Sequence, residues 1–345
     1  MREETRVKVN ALHAAMAHAY AVSDPTTKFN VTPNGAQKII ESVKEQSTFL
    51  GRINVVPVTE QSGNAIGLDV TGLIAGRTDT SANDRTPSDA HSTTGNTYTC
   101  SKVEFDTYVS YATLDGWALQ PNFRTKLNNQ TRKQIALNQI MIGFHGQTVA
   151  TQTDPVANPN GEDVSEGWIA KVKNRRPAQY LTEGGTVGEI HFGAGTETDY
   201  LNLDLMVSDL LQLIDPAHAE SGDLVVIVGH ELLAYEKNKF YTDHGNTPSE
   251  KAKIEERQVI GTYGGLPAYK VPHFPARGLM ITSFSNLSIY IQDSSIRRQN
   301  VDNPKRDRYE TFYSMNMDYV LEDLGKAVAI EAANVKFYSG TAWTA

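Results

Sequence analysis

The chain has 345 residues with 21% charged and 39% hydrophobic side chains, a balance that excludes fibrous and low-complexity architectures and is enough for a sizeable core. Its formal charge of −8 argues against a surface that grips nucleic acid throughout, although a local basic patch remains compatible. Cys100 is the single cysteine, so an intramolecular disulfide and a cysteine-built zinc cage are both excluded.

The first segment carries Val9, Leu12, Met16 and Tyr20 at helical spacing, which predicts an amphipathic helix. Arg2, Arg6 and Lys8 ahead of an alanine-rich stretch imitate a signal peptide, but Glu3, Glu4, His13 and His18 spoil that pattern. Ser23 to Pro33 reads as a linker that makes the first segment separable. A second helix is expected between Thr32 and Leu50, with Ile39, Ile40, Val43 and Phe49 apolar. Ile53 to Val58 is β-branched and contains Pro57, which favours an edge strand.

Between Ser62 and Ala112 the pattern changes. Ile66, Leu68 and Val70 alternate with polar residues, as do Val103, Phe105, Val109 and Tyr111; the stretch between, Gly76 to Thr97, is almost wholly polar. The expectation is a long hairpin with a polar tip. A two-stranded ribbon lacks an opposing layer and is marginal in water, so another chain is expected to supply one; a hairpin folded back on its own domain is the alternative. Pro121 to His145 then reads as one long helix, with Phe123, Leu127, Leu137, Ile140, Met141 and Phe144 on one stripe. At ~1.5 Å per residue it spans roughly 35–40 Å, a beam across the molecule.

Further on, a short helix starts near Trp168 and stops before Pro177. Another covers Leu201 to Leu213 and stops at Pro216. Leu224 to Val228 is a buried strand by its continuous aliphatic character and leads into a helix near Glu231 to Lys239. Strands around Tyr269, Leu279 to Thr282 and Leu287 to Ile291 complete an α/β or α+β lobe inserted between the two ends of one sheet. Arg297, Arg298, Lys305, Arg306 and Arg308 outnumber Asp302 and Asp307, giving a local basic run. Met315, Met317, Tyr319 and Leu321 alternate with polar residues and predict a half-buried closing strand. The longest aliphatic run, Leu224 to Val228, is far short of the about 20 residues that cross a bilayer.

Several fragments imitate active sites. His230 and Glu231 begin the zinc motif H-E-x-x-H, but the fifth position is Ala234. Gly184, Gly185 and Gly188 have the wrong spacing for a phosphate cradle, and no P-loop occurs. No catalytic, cofactor-binding or metal-binding residue is assigned, and no cofactor is expected. Two rival readings stay open on residues alone: an α/β enzyme with a dispersed site in the 168–291 lobe, and a nucleic-acid-binding protein using the basic run 297–308.

A set of segments points elsewhere. Arg52, Ile53, Asn54, Val55, Val56, Pro57, Val58; Thr113, Leu114, Asp115 with Trp117; Asp223 to Gly229; Val271, Pro272 with Phe274, Pro275, Ala276; Asn286 to Tyr290; Asn303, Pro304, Lys305; and Ser314 to Val320 with Glu322 and Asp323 are similar, in order, to major capsid proteins of P2-like tailed bacteriophages. The resemblance implies an α+β, HK97-like capsid fold and assembly as pentamers and hexamers into an icosahedral head around double-stranded DNA. Its parts would be an N-terminal assembly segment at 1–29, an N-arm and first peripheral strand at 30–61 and an extended loop at 62–112. A peripheral domain at 113–167 with spine helix 121–145, an axial domain at 168–291 and a return to the peripheral domain at 292–345 would follow. It also implies processing by a prohead protease; Lys28, Phe29, Val31 and Pro33 match the family's junction and Asn30 departs from it, which places cleavage after Phe29. The implied partners are copies of itself, a scaffold, the protease, a portal protein and packaged DNA without sequence-specific contact, in a virion capsid assembled in the bacterial host cytoplasm. No membrane partner is implied. Candidate subunit-interface residues are Arg77, Asp84, Arg85 and Asp89 on the loop and Arg297, Arg298, Lys305, Arg306 and Arg308 in the basic run.

Overall fold

A computed structural model describes residues 2–344, apart from 21, 66–67, 71–74, 76, 83, 86–90, 94–95, 118–122 and 245–260. Helix α1 covers Glu3–Tyr20 and α2 covers Pro33–Lys44. The start of α2 is set by Thr32, whose hydroxyl accepts from the Gly35 amide while Pro33 fills the first turn. Helix α3 is Tyr111–Trp117, α4 is Phe123–His145, α5 is Trp168–Arg175, α6 is Leu203–Leu211 and α7 is His230–His244. Pro121, expected to open the beam helix, lies outside the described residues.

The organising strand is Arg308–Leu321, at the centre of a seven-stranded sheet. Leu287–Gln292 and Arg297–Asn303 pair with it antiparallel, as do Ser101–Glu104 and Thr107–Ser110. Asn54–Val58 adds to Leu287–Gln292 in parallel as an edge, where Pro57 removes no ladder bond that a second neighbour would need. Along the long strand, odd-numbered Met315, Met317 and Tyr319 enter the main core with Trp168, Phe144 and Ile140. Even-numbered Val320 enters a separate cluster with Tyr98, Cys100 and Tyr290. The strand is therefore covered on both faces at this end. The half-buried strand expected from its alternation is corrected on that point, because polar Asp318 is buried too.

A second sheet runs Thr262–Tyr263, Leu266–Tyr269, Val225–Val228, Leu279–Thr282, Val328–Ile330 and Tyr180–Leu181, and a small third one joins Ile190–Phe192 to Val335–Tyr338. Two strands thus sit in a different sheet from the one the sequence predicts. Leu287–Gln292, expected in the inserted lobe, lies in the large sheet. Val328–Ile330, expected to return there, pairs instead with Leu279–Thr282. A continuous aliphatic run announces burial on both faces but carries no information on which sheet provides the neighbours.

The ribbon also pairs differently from the expectation. Ser62–Asn64 pairs with Thr97–Thr99, and Leu68–Val70 with His91–Thr93. The strand pattern at Val103 to Tyr111 does not return along the ribbon; it breaks at Asp106, joins the large sheet and passes into α3. Asp106 accepts from the Tyr313 amide and so bridges the break. In α4 the buried positions are Ile135, Ala136, Gln139, Ile140, Ile142, Gly143 and Phe144, whereas Leu127, Leu137 and Met141 are only half-buried. The packed stripe is rotated from the predicted one because α5 approaches closely. A Cβ on Gly143 would stand 2.4 Å from the Trp168 ring.

Candidate assembly surface

Two extensions leave the large sheet; of the described sequence-predicted interface residues, Arg77, Asp84 and Arg85 lie on the first, and Arg297, Arg298, Lys305, Arg306 and Arg308 lie on two strands of the sheet and the turn between them. The first is the ribbon. At its root Tyr98 packs edge-on against Tyr290, with ring centroids 5.0 Å apart, over Val320 and Cys100. Burial pushes the Cys100 thiol up to about 12, so it is a packing group and not a nucleophile. Polar groups complete the root. Asp318, on the long strand, accepts from the Thr99 amide at 3.0 Å and from the Lys171 ammonium of α5 at 2.8 Å. Lys171 is 1% exposed and Asp318 6%. Burial holds the Lys171 pKa below that of an ordinary lysine, while the Asp318 carboxylate opposes that shift. Asn96 donates to the Leu321 carbonyl and accepts from Arg175 at 2.6 Å, and Arg175 reaches the Thr97 carbonyl at 3.2 Å.

Sequence reasoning did not single out Lys171, Arg175, Asn96 or Asp318. Lys171 stands alone among Trp168, Ile169, Ala170 and Val172, and a lone charge in an apolar helix face is the one available signal. Its partner 147 residues away has none.

Beyond the root, Leu68–Val70 and His91–Thr93 pair only with each other among the described residues. Arg77, Asp84 and Arg85 are exposed on this part of the chain. Asp89 lies outside the described residues.

The second extension is α1. Val9 packs on Leu114 and Tyr309, the Thr5 hydroxyl donates to Asp115 at 2.6 Å, and His13 bonds the Tyr309 hydroxyl at 2.7 Å. The expected linker ends in a two-residue edge strand, Phe29–Asn30, paired antiparallel with Arg297 and Arg298. Phe29 leans on Tyr20, and Asn30 is exposed. The junction candidates and two of the basic candidates are therefore strand neighbours.

The basic run is not one patch. Arg298 points inward and donates to the Tyr20 hydroxyl at 3.0 Å. Arg308 pairs with Glu310 at 2.6 Å and stacks on Tyr108. Arg297 is exposed on its strand, and Lys305 and Arg306 occupy an exposed turn closed by Asp307 in the left-handed region, at φ 48°. Composition counts these five charges alike, but strand alternation sends neighbours to opposite faces. In the second lobe, Glu231 of the apparent zinc motif is engaged by Arg277 at 2.7 Å and caps no metal cluster; among the described residues no group of three or more His, Cys, Asp or Glu could hold an ion.

A family model described as phage major capsid protein, P2 family, matches residues 8–333. The capsid proteins of Escherichia phage P2 are 39% identical to this chain, over 98% of it and 97% of their own length. The major capsid protein of Serratia phage KSP20 is 32% identical, over 88% of each chain. Among solved structures, the satellite phage P4 procapsid including size determination (Sid) protein matches with a TM-score of 0.77 and 38% identity, covering 98% of this chain and 99% of that one. The capsid of a native GTA particle matches at 0.52 and 14% identity, over 83% and 89%, a likeness of fold alone.

Proposed function

This chain belongs to the P2 family of phage major capsid proteins and has their HK97-like α+β fold, and we propose that its copies close as pentamers and hexamers into an icosahedral head around double-stranded DNA. Copies associate into a capsid lattice, and the assembled protein is part of the virion capsid. Its role is structural. The observation that carries the finer reading is the ribbon: a root fixed by buried contacts, then outer rungs that pair only with each other among the described residues. Such a ribbon gains the layer it lacks by lying on a second copy. The ribbon within 62–99, the helix Phe123–His145 of the expected spine 121–145, and the lobe built on the second sheet from Trp168 to Thr282 would supply the extended loop, spine and axial parts of this reading.

The exposed charges Arg77, Asp84, Arg85, Arg297, Lys305 and Arg306 are the best placed to pair across copies, and Asp89 is expected to join them. Arg298 and Arg308 are engaged within their own chain, and their expected contribution to an interface is smaller. Cleavage after Phe29 by a prohead protease is supported by the exposed, extended Asn30 in a two-residue edge strand, the conformation a protease cleft accepts. Losing residues 1–29 removes four basic and three acidic side chains, leaving 28 against 37. A net negative wall would let DNA be packed and released without adhering to it or being read by sequence. A scaffold and a portal protein complete the assembly set, and assembly takes place in the host cytoplasm.

Electron microscopy of the purified full chain, alone and with its scaffold, tests the reading. Capsomer rings or closed shells are expected. A monodisperse small oligomer under every assembly condition would remove it. Mass spectrometry of the mature N-terminus tests the junction, with Asn30 expected first.

A further inference from the structure

Beneath α1 lies a chamber of about 280 Å³, roofed by Met16 and Tyr20, walled by α4 and floored by the strands Arg297–Asn303 and Arg308–Leu321. Three buried polar atoms of residues lining it have no hydrogen-bond partner: Arg298 Nε, Asn300 Oδ1 and the Tyr313 hydroxyl. Asn300 is 1% exposed and Tyr313 5%, so bulk solvent does not serve them. Arg132 of α4 lines the same space, and no carboxylate is among the lining residues. The acids that flank lining residues in sequence are engaged elsewhere: Asp106 accepts from the Tyr313 amide, Glu310 from Arg308 and Asn303, Asp302 from the Tyr111 hydroxyl and Asp24 from Thr26.

A buried donor or acceptor left unmade is costly, so three on residues lining one cavity call for an occupant. The space holds several waters at roughly 30 Å³ apiece, and water alone would satisfy the hydroxyl and the amide. Water does not balance the charges of the two arginines, Arg132 and Arg298, that line the chamber. An oxyanion does, by accepting charge-assisted bonds from both arginines and a further bond from Tyr313.

We propose that the chamber binds a small tetrahedral oxyanion of the phosphate class, and that its binding holds α1 on the body. Because Met16 and Tyr20 of α1 form the roof, the site is complete only while the helix is docked. A ligand that binds the docked form alone stabilises docking by the factor 1 + [L]/Kd, about tenfold at ten times Kd. Because the helix lies over the site, the proposal is for a free ion and not for the phosphodiester of a polymer.

The test is hydrogen exchange of amides 3–20 in the unassembled full chain, titrated with inorganic phosphate against chloride at equal ionic strength. Protection of α1 should rise saturably, reaching about tenfold at ten times the Kd, while a DNA oligonucleotide at equal phosphate concentration should leave it unchanged. Arg132→Gln, which breaks no hydrogen bond or ion pair among the described residues, should abolish the phosphate response; Tyr313→Phe should weaken it. Equal exchange in phosphate and chloride would mean that the chamber holds water only and would overturn the proposal. So would an Arg132→Gln chain that responds like the parent, or DNA acting as phosphate does. The outcome does not depend on whether shells form.

Discussion

At the ribbon root, Asp318 joins Lys171 to the Thr99 amide and Asn96 joins Arg175 to the Leu321 carbonyl, with Lys171, Asp318 and Asn96 all buried. Beneath α1, three buried polar atoms of chamber-lining residues have no partner among the described residues. Both extensions lie on the same long strand, and both bury aromatic side chains against it: Tyr98 on one face and Tyr20, through Phe29 and Arg298, toward the other. The difference lies in polar closure. A buried network with every member satisfied fixes one geometry, whereas a cavity with unmade bonds leaves its cover weakly specified. On the proposed function, that contrast would suit a ribbon that keeps its direction while it grips a neighbour, and a helix that is removed with residues 1–29.

The largest effect should follow from breaking the closed side. Asp318→Ala removes the acid paired with a lysine that is 1% exposed, and a buried charge stripped of its partner costs about 3–5 kcal/mol. Denaturant unfolding of the full chain should show that loss. The double change Lys171→Met with Asp318→Leu should recover most of it, because an apolar pair of similar size carries no desolvation penalty. If the single variant loses under about 1 kcal/mol, the root is no better closed than the chamber and the contrast fails.

A smaller effect sharpens the contrast by locality. Asn96→Ala deletes the donor to Leu321 and the acceptor for Arg175, leaving both unmade, with an expected cost of about 1–3 kcal/mol. Amides 97–104 should exchange faster, and those of α1 should not change. A uniform acceleration over both extensions would show that they open as one unit.

The sequence made the elements legible and left their partners hidden. Val9, Leu12, Met16 and Tyr20 mark α1, Thr32–Pro33 marks the start of α2, and Pro177 and Pro216 lie just beyond the helices they follow, because these signals are local. The ribbon was visible as a polar tip between alternating segments, but its return strand was misplaced. The alternation of Val103, Phe105, Val109 and Tyr111 reflects one buried face on the long strand, and the same pattern serves any partner sheet. Family resemblance reached further than periodicity, since ordered matches such as Ser314 to Val320 cover the organising strand itself. Even so, nothing along the chain ties Lys171 to Asp318 or collects Arg298, Asn300 and Tyr313 around one cavity. Those relations exist only once the strands are in register.

The smallest predicted effect bears on the open side and is set by pH. His13 bonds the Tyr309 hydroxyl and lies against its ring, with centroids 5.5 Å apart. Burial lowers its pKa from the usual histidine value; Asp24 and Asp302 pull in the opposite direction without cancelling that shift. The docked helix therefore binds fewer protons than the released one. Docking is strongest above the released-state value near ~6.5 and weakens as pH falls through it toward the lower docked value. Between pH 7.5 and 5.5, exchange of amides 3–20, corrected for intrinsic rates, should accelerate while amides 97–104 hold steady, since no histidine belongs to the root. His13→Gln can keep a hydrogen bond to Tyr309 without titrating and should flatten the profile. A parent helix whose corrected exchange is level across this range would show that His13 takes no part in docking, and the hold on α1 would then rest on Thr5, Val9 and the chamber.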